Sequence, residues 1–299
     1  PAASYTKTKT NDVLGYTEYT LSNGIRFIVK KTNYKDDEIL MQSFSNGGIS
    51  LYGDDEVFTA TLTASLIDAA GIGQFSATQL SKKLKGKTLG INPRIDGMSE
   101  GFTGSCSPKD LETLLQLLVL YYDAPRKDKE SFDKEIESLA TQYKMVLENP
   151  QIVLMKKFYE TAYCNSKRLI IAPTVEQINS VDLDRVYQIY KERFNDASDQ
   201  TFFFVGNIED QDIDLIAKYI AALPCNGKQK GETWNDVSPV FASGVNHEEV
   251  RKGTDNQGMI MIMGETEGFS RDTRSRITCS LLSDALSITA LEVIREKMG

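Results

Sequence analysis

Apolar positions along the chain follow two periods, one of two residues and one near four, and the switches between them mark out the elements. YTEYTL (16–21) and IRFIVKK (25–31) alternate like half-buried strands, and the Asn23-Gly24 pair between them supplies the positive-φ positions of a tight hairpin. Residues up to about Asp12 read as a polar tail. EILMQSFS (38–45) gives a third strand, broken by Gly47 and Gly48. The period then changes. In EVFTATLTASLIDAAG (56–71), Phe58, Leu62 and Leu66 recur at helical spacing, Ala69 or Ala70 completes the stripe, and Asp54, Asp55 and Glu56 place negative charge at the helix start.

A shorter helix over 77–84 precedes two strand patterns, TLGINPRI (88–95) and EGFTGSCS (100–107). Ser107-Pro108-Lys109-Asp110 is a helix start with a capping hydroxyl and a proline at the first helical position. It opens a helix whose Leu111, Leu114, Leu115 and Leu118 form a wide apolar stripe. A further helix carries Phe132, Ile136, Leu139, Tyr143 and Val146, and another covers about 151–163. Thr174 to Gln177 is a capping box, and Asp182 starts the helix LDRVYQIYKERF. TFFFVGNI (201–208) reads as a buried central strand and leads to the helix DIDLIAKYIAALP. These elements predict an α+β fold, a mixed and largely antiparallel sheet packed against helices, over residues 1–224.

Residues 225–243 are polar, rich in Gly and Lys and without period, which predicts a linker onto whose neighbouring domain Trp234 is pinned. Beyond it, VNHEEVRKG and QGMIMIMGE read as a strand pair before a long helix from about 272 to 298. Hairpin strands followed by a helix repeat the opening of the first unit, so 244–299 is expected to be the start of a second similar domain, cut short.

Composition narrows the function. Of 299 residues, 40% are hydrophobic and 25% charged, an ordinary globular balance, and the net charge of −8 leaves no basic face for nucleic acid. No apolar run approaches the roughly 20 residues of a membrane-spanning helix, so no transmembrane segment is expected. The chain starts at Pro1 and ends within a helical pattern, and so reads as a piece of a longer protein with any signal peptide outside it. Four dispersed cysteines show no C-x-x-C spacing and read as free, partly buried thiols. The single histidine, His247, beside Glu248 and Glu249, reads as a surface imidazole. Gly47-Gly48 and Gly71-Ile72-Gly73 lack the spacing of a phosphate loop and read as turns. There is no Ser/His/Asp or Cys/His set, and acids without a pattern give little support to a hydrolase using carboxylates alone.

Taken in order, LSNGIRFIVKKTNYKDDEILMQSFSNGGISLY (21–52), SCSPKDLETLLQLL (105–118) and IYKERFNDASDQTFFFVGNI (189–208) resemble the pitrilysin/insulinase family of zinc metallopeptidases, a LuxS/pitrilysin-like two-layer fold. That resemblance covers nearly the whole chain. In the family an inverted H-x-x-E-H helix holds zinc through two histidines, with the glutamate as general base and a further glutamate ligand downstream. It implies that Thr61 and Ser65 stand at the two ligand positions and Ala64 at the base position, and that Glu130, Glu135 and Glu137, roughly where the third ligand falls, are solvated helix-face charges. No catalytic residue and no metal are therefore expected here, with zinc in the other half of the full-length protein.

The resemblance further implies the substrate-enclosing, non-catalytic (C-terminal) half of a clamshell peptidase, partnered by peptide and by a zinc-bearing half on the same chain or another subunit. Arg295, opening an arginine-tyrosine pair whose tyrosine would fall past Gly299, is implied as the substrate-binding residue, against the plainer reading of a charge at a helix C-terminus. The alternative is a stand-alone, catalytically dead relative serving as a structural adaptor, as the core subunits of some respiratory complexes resemble this fold. Similar bacterial phrases point to the periplasm or cell envelope, with the cytoplasm as the alternative.

Overall fold

Alternation along the early strands is realised as one sheet. The computed structural model describes residues 4–254, 258–264 and 272–297. Strands β1 (Tyr5–Asn11), β2 (Tyr16–Leu21), β3 (Arg26–Lys31), β4 (Ile39–Asn46), β5 (Leu89–Ile95), β6 (Ser99–Cys106) and β7 (Thr201–Gly206) lie in the order β1-β2-β3-β7-β4-β6-β5. Only β3 and β7 run parallel; all other neighbours are antiparallel. The chain is thus α+β with a mixed, largely antiparallel sheet.

One face of the sheet is covered and the other open. Along β4, Ile39, Met41, Ser43 and Ser45 are buried while Leu40 and Phe44 remain 47% and 42% exposed, the period-two signature of a sheet with a single helical layer. On β7, Phe202 and Phe204 face inward and are fully buried, but Phe203 lies on the open face and is only partly covered. The expectation of a strand buried on both faces is corrected by that alternation.

Helices α1 (Val57–Ala69), α2 (Ala77–Lys83), α3 (Leu111–Asp123), α4 (Lys129–Val146), α5 (Pro150–Ala162), α6 (Val175–Asn179), α7 (Leu183–Phe194) and α8 (Asp210–Ile220) follow the expected order. Leu111, Leu114, Leu115 and Leu118 of α3 are buried. They share a core with Phe102 of β6, whose ring stands 4.8 Å from Phe194 and 5.3 Å from Tyr122. Burying each large side chain contributes about 1.5–3 kcal/mol, and ring pairs at such spacings add about 0.5–1.5 kcal/mol.

Four local expectations are corrected. β1 replaces the polar tail: only its Tyr5 reaches the rings of Tyr19 and Phe27, at 5.5 and 5.9 Å, and Lys7 and Lys9 flank an irregularity on a sheet edge, so no apolar period announces it. On α1 the buried residues are Val57, Ala60, Thr63, Ala64, Leu66 and Ile67, while Phe58 and Leu62 are partly covered; the helix packs against β5, α4 and α7 at once, which blurs any single stripe. Ser107 does not cap α3: its hydroxyl donates to Asp110, which accepts the Thr88 N–H. Residues 245–254 and 258–264 carry no strand, since a lone hairpin without a third strand or a covering helix is marginal in water.

Later in the chain, α9 (Thr273–Ala290) continues as a π-helical turn, Leu291–Lys297; Met298, the expected helix end, lies outside the described residues. This 25-residue stretch has a mean hydropathy of 1.6 over its most apolar window and none of that window is buried, so by length and composition it is long enough to cross a bilayer. Uninterrupted runs do not reveal this stretch, because scattered Ser and Thr break the run without lowering the average much.

Candidate functional site

The face of α1 at the expected zinc position is chemically closed. Thr61 and Ser65 lie one turn apart on its exposed side, where the Thr61 hydroxyl donates to the Val57 carbonyl at 2.8 Å and the Ser65 hydroxyl to the Leu62 carbonyl at 2.9 Å. Ala64 is buried between them and offers no proton acceptor. Catalytic zinc takes about three imidazole, thiolate or carboxylate ligands, whereas these hydroxyls are neutral and bonded back onto their own helix. The residues at these positions do not fit the metal. Glu130 and Glu137 stand exposed on α4 and Glu135 half-buried; among the described residues no group of three or more His, Cys, Asp or Glu side chains is arranged to hold an ion.

The acids before α1 serve attachment. Asp54 pairs with Arg168 at 2.7 Å, Asp55 with Lys167 at 2.5 Å, and Glu56 with Arg185 at 2.6 Å, tying the helix start to the 163–174 loop and to α7. Glu56 is the N-cap residue of α1 and Asp54 and Asp55 precede it, so the negative charge stands at the helix start as expected.

Arg295 sits exposed in the π-helical turn after α9, beside a Lys297–Glu292 pair at 2.8 Å. His247 is exposed and lines a cleft of about 1530 Å³ between α5 and residues 241–254 and 258–263, with Phe158, Phe241, Glu248 and Ile260. Its acidic neighbours turn elsewhere: Glu248 accepts the Thr161 hydroxyl at 3.0 Å and Glu249 pairs with Arg251 at 2.7 Å. All four cysteines are free, but Cys164 is exposed, contrary to the expectation of partial burial throughout.

A buried polar cluster escapes the motif-based reading. Glu100 of β6 is fully buried and accepts the Gly48 N–H and the Ser45 hydroxyl. Arg193, at the end of α7, stands 3.5 Å from Glu100 and 3.0 Å from Glu232 of the linker. Burial pushes the Glu100 carboxyl up to about 7 against the opposing effects of Arg193, Gly48 and Ser45. Asp199 is raised to about 7 by burial and by Glu100 and Glu232, and neither of its carboxylate oxygens has a hydrogen-bond partner among the described residues. The buried Tyr122 hydroxyl beside this acidic group is likewise unpartnered.

Gly47 and Gly48 are therefore more than a strand break. A Cβ on Gly48 would fall 2.2 Å from the Asp96 carbonyl, so only glycine lets its N–H meet the carboxylate. One sequence signal marks the cluster: Glu100 shares the inward parity of Phe102 and Cys106.

No protein-family profile matches the chain. A probable zinc protease PqqL of Haemophilus influenzae is 26% identical over 212 residues, 69% of this chain and 22% of that protein. The crystal structure of the periplasmic protease PqqL from Escherichia coli is similar with a TM-score of 0.67 at 18% identity, covering 80% of this chain and 26% of that one. The peptidase M16 inactive domain from Pseudomonas fluorescens gives a TM-score of 0.60 at 14% identity over 76% of this chain and 54% of that one. The chain spans about a fifth of the length of the curated relatives it matches.

Proposed function

We propose that this chain, which is similar to zinc proteases and to the fold of a peptidase inactive domain, is a non-catalytic portion of a pitrilysin/insulinase-type zinc peptidase that encloses peptide substrate for a zinc centre carried elsewhere. One observation carries this reading. At the position of the zinc helix, α1 offers two hydroxyls already bonded to its own backbone and a buried methyl. The sheet and its helical layer are kept, which suits a wall whose work is binding.

Within that reading, residues 244–299 open a second similar domain after a linker at 225–243, and Arg295 holds a substrate carbonyl through its guanidinium as charge develops there. The partner is a zinc-bearing half, on the same chain or on another subunit. A periplasmic or envelope location is supported by the Escherichia coli relative, which is described as periplasmic.

The test is metal analysis and peptide hydrolysis on the purified chain, with and without chelator. The expected result is less than a tenth of an equivalent of tightly held zinc and no chelator-sensitive hydrolysis. One tight equivalent in the native chain overturns the proposal. Arg295→Ala, placed in the peptidase assembled with its catalytic half, is expected to lower kcat/KM while leaving zinc content unchanged.

A further inference from the structure

The start of the linker is fastened to the first domain through groups on three different segments. Asp196, in the turn between α7 and β7, accepts the backbone N–H groups of Asn226 at 3.2 Å and Gln229 at 3.1 Å. The Gln229 amide reaches the Glu192 carbonyl of α7. Glu232 takes two nitrogens of Arg193, at 3.0 and 3.3 Å. Asn235 bonds Ser50 twice, through its N–H at 3.0 Å and its amide at 3.3 Å, and Ser50 lies on the same 3-10 turn, Gly48–Leu51, that donates to Glu100.

Arg193 is thus shared between a carboxyl of the sheet and a carboxyl of the linker. The groups facing this point are Glu100 from β6, Tyr122 from α3, Asp196 and Asp199 from the turn before β7, Tyr52 beyond the 3-10 turn, and Glu232 from the linker. Nearby Arg94 is engaged by Asp96, Arg185 by Glu56 and Glu192, and Lys228 and Lys230 of the linker point into solvent.

We propose that residues 226–235 form a proton-gated strap, clamped onto the first domain when Glu100 and Asp199 carry protons and released when both are ionised. With both acids neutral, Arg193 and Glu232 form a matched pair, while Asp196 keeps its charge because three backbone N–H donors outweigh its burial. Ionisation places two more negative charges beside Glu232 without adding a cation. Glu100 then competes for Arg193, and the repulsion is relieved by expelling Glu232 and letting water reach the buried carboxylates. The unpartnered oxygens of Asp199 and hydroxyl of Tyr122 give that water a place to bind. The poise of Glu100 and Asp199 near neutrality sets the switch within an ordinary pH range. Such a strap would control how freely the two ends of the linker move relative to each other, and it stands whether or not the peptidase reading does.

Hydrogen exchange on the full chain tests this, with protection factors corrected for the intrinsic pH dependence of exchange. Protection over 226–235 is expected to fall about tenfold between pH 6 and pH 8, the change that one pKa unit of linked proton release supports, while the amides of β7 keep theirs. In Glu100→Gln and Asp199→Asn the step shrinks or vanishes and the strap stays protected at pH 8. Should Glu100→Gln fail to fold, Asp199→Asn decides, since its carboxylate makes no side-chain hydrogen bond to lose. A native strap with flat protection, or variants keeping the full step, overturns the proposal.

Discussion

Asp196 accepts the backbone N–H of Gln229 at 3.1 Å across 33 positions of sequence, so the turn between α7 and β7 organises a segment well beyond β7. The same carboxylate takes the N–H groups of Ser198 at 2.9 Å and Asn226 at 3.2 Å and is fully buried. Removing it leaves three backbone donors without their acceptor, those of Ser198 and Gln229 in buried residues. Asp196→Ala is expected to destabilise the chain by about 2–3 kcal/mol, read as a lower urea midpoint, with the largest loss of exchange protection at 226–229. A midpoint unchanged within error would show that these contacts are dispensable.

Gly48 adopts φ +58°, and a Cβ there would meet the Asp96 carbonyl at 2.2 Å and the Ser99 nitrogen at 2.5 Å, both backbone atoms that cannot swing aside. Gly48→Ala combines a left-handed conformation with that clash and moves the N–H away from Glu100. A loss above about 2 kcal/mol is expected. Gly53→Ala is the control, because a Cβ there has nothing within 4 Å; equal midpoints for the two variants would refute the steric account.

Much of this fold was legible because burial follows parity. β4, the capping box at Thr174 and the Asp182 cap of α7 all stand where the pattern places them. β1 was illegible because an edge strand exposed to solvent needs no apolar face. The burial of α1 departs from a single stripe because three neighbours cover that helix from different sides. At the site, the missing imidazoles could be read directly, since an absence of histidine holds in any register. The Glu100–Arg193–Glu232 cluster could not, because it joins residues separated by 93 and 39 positions, and local periodicity carries no information about such pairing. Its trace in sequence was an acid at an inward strand position, a conflict that only tertiary structure resolves.

Opposed carboxyls set the dependence of stability on pH. Glu100 is raised from 4.5 to about 7, first by burial, so between those values the folded chain holds a proton that the unfolded chain has released. Its contribution is present below the ordinary value and is lost as pH rises through about 7, amounting to roughly 3 kcal/mol for a group shielded from solvent. Asp199, raised from 3.8 to about 7, acts in the same direction. Asp196 acts in the other: its backbone donors hold it below 3.8, so its contribution is present above that value and lost as pH falls below it. The urea midpoint is therefore expected to be higher at pH 5 than at pH 8 and to fall again in acid. Glu100→Gln reduces the fall between pH 5 and pH 8, leaving the part that Asp199 carries, and keeps the acid limb, whereas Asp196→Asn reduces the acid limb alone. A native midpoint that climbs from pH 5 to pH 8 would mean that Arg193 outweighs burial at Glu100, and with that the basis for a strap released in base would be gone.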